Sequence, residues 1–182
     1  MKLVLDACVL YPPVLREILV GVAAADLFTP IWSDRILEEW ARAARKLGAG
    51  AEVDARAAAT MLGLRFPKSL CNATNGLETR LHLPDENDIH ILATAIVSGA
   101  DSILTYNARD FPRHVLAAEG VDRRDPDGFL WELWSHHPDE VGQVLEAVRA
   151  KAEAMSGNPQ TLRQVLRRLR LDRLAKAVGQ PA

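Results

Sequence analysis

Residues 84–111 read PDENDIHILATAIVSGADSILTYNARDF, and the fold follows from how this stretch changes character along its length. At about 100° per residue, Ile89, Leu92, Ala95, Ile96 and Gly99 share one side, the spacing of an amphipathic helix. Asp85 is a good N-cap for it, and Asp88, three residues on, can reach back in the manner of a capping box. Gly99 ends the helix. Ser102 to Thr105 then reads as a short strand that delivers the chain to a polar cluster of Asn107, Arg109 and Asp110. Both acids of the first turn could serve only as caps that complement the helix dipole, so their meaning depends on the rest of the chain.

Working outward, Lys2 to Leu5 is an apolar run that stops on Asp6, the pattern of a central parallel strand whose C-terminal end opens onto a site. A helix follows over residues 13–22. Leu27 to Trp32 reads as a second strand, with Pro30 marking an irregular or edge position. Ser33 caps a helix whose apolar face is Ile36, Leu37, Trp40, Ala44 and Leu47, with Gly48 at its end. Glu39 falls about 110° from the centre of that face and Glu38 about 150°. Glu39 is therefore the candidate for chemistry, with a pair to Arg35 as the alternative; Glu38 faces water and can pair with Arg42. Val53, Ala57, Met61 and Leu64 mark a further helix, and residues 67–76 are turn-rich.

Downstream, Val121 to Arg124 reads as an edge strand, and Asp125-Pro126 opens a helix in which Trp131 and Trp134 are read as packing residues. Two helical segments follow, the last with Leu162, Val165, Leu166 and Leu169 inward and arginines outward. Strands alternating with helices imply a three-layer α/β/α fold with a central parallel sheet, plus C-terminal helices.

The net charge of −2 hides an asymmetry. Residues 159–182 carry six cations against Asp172, a net of +5, which leaves the remainder at −7. Arg163, Arg167 and Arg168 are the candidate phosphate contacts in that segment; a solvated helix face is the plainer reading. Two cysteines and an N-terminal apolar run broken by Asp6 point to a cytoplasmic protein with reduced thiols. The uncharged stretch from Ile89 to Ala100 is far short of the roughly 20 residues that span a bilayer.

Asp6, Glu39, Asp85 and Asp88 have related placements, and Asn107 with Asp110 would reach the same sheet edge. Such carboxylates repel one another unless a cation neutralises them. Oxygen donors without a His or Cys partner at metal-binding spacing suit Mg²⁺ or Mn²⁺ rather than Zn²⁺. Phosphodiester hydrolysis is the natural chemistry of such a centre. The five histidines are scattered, and a solvated or capping role is expected of each, His90 included. A phosphatase with an aspartyl nucleophile would need an acid two residues after Asp6, where Cys8 stands.

The blocks LDACVLYP, WSDRILEEW, LPDENDIHILATA, GADSILTYNARDFP and DPDGFL, in this order and spacing, resemble those of PIN-domain proteins over residues 1–133. The resemblance implies a metal-dependent ribonuclease domain over residues 1–134, with residues 135–182 a helical extension packed on it. It implies a bacterial toxin of the VapC type, homodimeric and inhibited by an antitoxin. Asp6, Glu39 and Asp88 take the places of the catalytic, metal-binding acids, with Asp85 an additional acid. Asn107 stands where an Asp is common, so Asp110 or a water would supply the missing ligand. Cys8 occupies the place of a Ser, Thr or Asn that orients the first acid, and a thiol is a poor donor. A catalytically weak module that binds RNA or protein is the alternative these two departures raise.

Overall fold

The computed structural model describes residues 1–73 and 76–179 of the 182-residue chain. Thr74 and Asn75 of the turn-rich stretch, and residues 180–182 of the basic segment, lie outside the described residues. In chain order the elements are β1 (Lys2–Leu5), α1 (Ala7–Leu10), α2 (Pro13–Ala24), β2 (Thr29–Ile31), α3 (Asp34–Ala44), α4 (Ala51–Arg65), α5 (Ile89–Ser98), β3 (Ser102–Leu104), α6 (Arg113–Ala118), β4 (Asp122–Arg124), α7 (Pro126–His136), α8 (Pro138–Ser156), α9 (Leu162–Arg168) and α10 (Asp172–Val178). They form the expected α/β fold with an all-parallel central sheet, followed by C-terminal helices.

The sheet runs β2-β1-β3-β4. Leu3, Val4 and Leu5 are at most 1% exposed, which is why β1 is a continuous apolar run in a central position. Pro30 is tolerated because β2 is an edge strand. From β1 the chain moves first to one neighbour and then to the other, so the order reverses between β1 and β3. Open α/β sheets bind ligands outside the strand ends at such a switch point. Register matters there: Leu5 lies opposite Leu104, so the residues that leave the two strands, Asp6 and Thr105, emerge side by side.

By packing, the chain forms two compact units. The first comprises Met1–Tyr11 and Phe28–Arg124 and holds the sheet; the second comprises Pro12–Leu27 and Asp125–Ala182. In the first, α3 packs on α4 and α5 on β1 and β3. Helix α5 departs from the amphipathic expectation, since His90 to Ala95 are all buried. It ends at Gly99, whose φ of +61° is the left-handed conformation that glycine adopts without steric cost. Helix α4 inverts its expected face: Ala55 and Leu62 are buried, while Val53, Met61 and Leu64 are 64–72% exposed. Ion pairs Arg45–Glu52–Arg56–Glu38 run along the exposed side of α4. Glu38 also takes the expected pair with Arg42, at 2.6 Å.

In the second unit α2 packs on α8, and a Cβ at Gly21 would overlap the Val144 side chain. The last helical segment, read as one helix, is two. Thr161 and Gln164 close a capping box at the start of α9, and Arg170 turns the chain at φ +58° before α10 begins. Trp134 is half-buried, but Trp131, read as a packing residue, is 43% exposed.

The cap of α3 is the local feature that aims Glu39. Ser33 is buried, and its Oγ accepts from the Ile36 amide at 3.2 Å. Ser33→Ala strands that amide, and we expect a loss of about 1–2 kcal/mol in urea unfolding, whereas Ser33→Asp should recover most of it.

Candidate metal centre

The carboxylate of Asp6, the first residue beyond β1, is 7% exposed and saturated with donors. The Cys8 amide donates to Oδ1 at 3.2 Å, while the Cys8 thiol, at 3.0 Å, and the Thr105 hydroxyl, at 2.5 Å, both donate to Oδ2. Thr105 is itself 2% exposed and accepts from the Asn107 amide at 2.9 Å. Burial, and then the charge of Asp6, push the Cys8 thiol up to about 12. It therefore stays protonated and acts as a donor, with the stronger donor, Thr105, supplied by β3.

Asp85 starts a short 3-10 turn over Glu86–Asp88, accepting from the amide and the side-chain nitrogen of Asn87, each at 2.9 Å. Asp88 makes no reciprocal capping bond; it is the residue from which α5 begins, and its carboxylate takes no cap hydrogen bond. The expected capping box is thus half present, which leaves Asp88 available for another role. On the loop after β3, Asn107 donates through Nδ2 to Asp110 Oδ2. Arg123 pins that loop from β4, its Nη1 donating to the Ala108 carbonyl and, at 2.9 Å, to that of Phe111, whose ring is fully buried.

These supports bring Asp85, Asp88 and Asp110 together, with one ligand oxygen from each within 4.8 Å of the others. Asp6 and Glu39 stand outside this triangle yet act on it. The Asp88 carboxyl is pushed up to about 6 by partial burial first, and then by the charges of Asp6, Asp85, Asp110 and Glu39. Four acids drawn from four segments therefore converge electrostatically on one carboxylate. Oxygen donors this close, with one of them driven towards protonation, fit a hard divalent cation.

Glu39 is held differently. Arg35 Nε donates to it at 3.3 Å, and the Arg35 guanidinium also donates to the Asn87 carbonyl at 3.2 Å, tying α3 to the turn that carries Asp88. His90 Nε2 lies 3.0 Å from Glu39 Oε1, off the direction of a straight hydrogen bond, so both ring nitrogens are buried without an aligned partner. Burial would raise the Glu39 pKa, but His90 and then Arg35 outweigh it and hold the group below the usual range. His90, expected to be solvated or capping, is 2% exposed; it belongs to the acid site. Arg35 was expected as the alternative partner of Glu39 and is one, while Thr105 and Arg123 were not singled out for the site. The position of Thr105 at the end of a strand, like that of Asp6, is the one signal that could have found any of them.

Of the other candidates, Arg163, Arg167 and Arg168 are exposed on α9, in the second unit.

The raised pKa of Asp88 has a measurable cost. Without metal, the folded chain binds a proton here more tightly than the unfolded chain does. Ionised Asp88 therefore destabilises the fold above pH 6, and the penalty fades as pH falls towards 4. Asp88→Asn should stabilise metal-free protein at pH 7 by about 1 kcal/mol, a value discounted for a half-exposed group. Denaturant unfolding in a chelator at pH 7 and pH 4 would show the difference at the first pH and none at the second.

A sequence model of the PIN domain matches residues 2–109, more than half of the chain. The match takes in Asp6, Glu39, Asp85, Asp88 and Asn107 and ends one residue before Asp110. No curated protein and no solved structure matches the chain significantly. With its parallel sheet and the acids gathered beyond the ends of β1 and β3, the chain belongs to the PIN-domain family.

Proposed function

We propose that this protein is a divalent-metal-dependent endoribonuclease that hydrolyses RNA phosphodiester bonds. The observation that carries the reading is the convergence of Asp6, Glu39, Asp85 and Asp110 on Asp88 at the switch point of the sheet. Asp85, Asp88 and Asp110 are the residues placed to hold the ion, with Asp6 and Glu39 as the neighbouring acids; Mg²⁺ and Mn²⁺ are the ions such donors accept. When bound, the ion activates water and stabilises the charge that develops on phosphate oxygens. The chain's own residues prepare the site. Thr105 and Cys8 fix the Asp6 carboxylate, Arg35 and His90 keep Glu39 ionised, and Asn107 orients Asp110.

On this reading residues 1–134 carry the nuclease and residues 135–182 extend it. Arg163 and Arg167, which have no acidic partner among the described residues, are suited to RNA phosphates. The family resemblance supports a cytoplasmic toxin paired with an antitoxin. Association into a homodimer is supported by the solvent-facing Val53, Met61 and Leu64 on α4. No helix among the described residues is long and apolar enough to cross a membrane. The second reading, a binding module without turnover, is favoured by Asn107, which brings no charge, and by Glu39 being already paired.

Cleavage of labelled RNA should require Mg²⁺ or Mn²⁺ and vanish in chelator. Asp6→Asn and Asp88→Asn should each lose about 10³-fold or more in rate. With metal below saturation, activity should also fall as pH drops through about 6, because a proton on metal-free Asp88 competes with the ion, and added metal should move the fall to lower pH. RNA binding without metal-dependent cleavage would favour the binding module. In sedimentation, wild type should run as a dimer and Met61→Lys/Leu64→Lys as a monomer; a monomeric wild type would reject the α4 interface.

A further inference from the structure

Within the second unit, Trp131, Arg173, Lys176 and Ala177 line an open pocket of about 310 Å³. Trp131 is 43% exposed, an unusual state for so large an apolar ring. Arg173 and Lys176 sit three residues apart on α10, so both project from one face of that helix. Both are exposed, and neither has an acidic partner among the described residues. The walls are fixed relative to each other. Asp127, near the start of α7, accepts from the Arg173 and Leu174 amides at 2.9 and 3.0 Å, and Leu174 and Ala175 are buried beneath. Asp127 thus spends its carboxylate on the α10 backbone, and Asp172, the acid of the first turn of α10, makes no ion pair with either cation among the described residues.

An aromatic face on α7 flanked by two unpaired cations of α10 matches a strand that offers alternating unstacked bases and phosphates. An acidic peptide would use the cations but gain little from the indole face. We infer that this pocket binds single-stranded RNA, one base stacking on Trp131 and the adjoining phosphates pairing with Arg173 and Lys176. The choice of RNA rests on the nuclease reading; the stacking site itself does not.

The test is fluorescence anisotropy of a labelled single-stranded oligouridine of about 12 nucleotides, with the full chain in chelator so that nothing is cut. Trp131→Ala should weaken binding about 10-fold and Trp131→Phe should restore most of it. Arg173→Gln and Lys176→Gln should each weaken binding and reduce the dependence of log affinity on log salt by about 0.7. An RNA duplex, whose bases are already stacked, should be indifferent to Trp131→Ala. Unchanged affinity of Trp131→Ala for the single strand, or displacement of the strand by oligoglutamate equally well from wild type and Trp131→Ala, would overturn the inference. The two readings fail separately. Binding that depends on Trp131 with no cleavage in Mg²⁺ or Mn²⁺ removes the nuclease and keeps the pocket; metal-dependent cleavage with binding indifferent to Trp131 does the reverse.

Discussion

The parallel pairing of β1 with β3 is the constraint on which the site depends. It places Leu5 opposite Leu104, residues 99 apart along the chain, and so sets the Asp6 carboxylate against the Thr105 hydroxyl. A register slip of one residue would turn each side chain to the opposite face of the sheet. Leu3, Val4, Leu5, Ile103 and Leu104 are all buried, so such a slip would exchange the two packed faces and break close packing on both sides of the sheet. Hydrophobic burial thus fixes the geometry of the polar cluster, although no member of that cluster contributes to the burial.

Around this pairing the acids are carried by elements that end, turn or begin at the site, and each is restrained by neighbours rather than by its own backbone alone. Arg35 spans from Glu39 to the Asn87 carbonyl, and Arg123 clamps the loop of Asp110. These arginines hold carboxylates and carbonyls close together that would otherwise separate under their mutual repulsion. Self-repulsion remains at Asp88, whose carboxylate has no ion pair with a basic side chain among the described residues. The fold accepts a local electrostatic penalty there in return for a place where an external cation is favoured.

Much of this was legible in the residues. A strand stopped by an acid, a serine before an amphipathic run and an aspartate pair ahead of an apolar helix all marked local structure correctly, because each depends on near neighbours. The readings that failed depend on distant ones. His90 was expected in solvent because a helical wheel assumes one wet face, yet α5 is buried all round from His90 to Ala95. The stripe on α4 was expected inward, but the packing of α3 chose Ala55 and Leu62. The break between α9 and α10 rests on Arg170 adopting a left-handed backbone, which is uncommon for a residue other than glycine and leaves little trace in sequence. Thr105 was invisible as a partner of Asp6 until the strand register was known.

The protonated sulphur of Cys8 bears on which ions the protein can hold. A thiolate against the Asp6 carboxylate would favour zinc, copper or cadmium, soft or borderline metals that bind sulphur far more strongly than magnesium or manganese does. Burial and the Asp6 charge make that ionisation costly, so the sulphur is masked as a hydrogen-bond donor. The surroundings of this one residue thus set a tightly held proton to be displaced before its sulphur can ligate a metal.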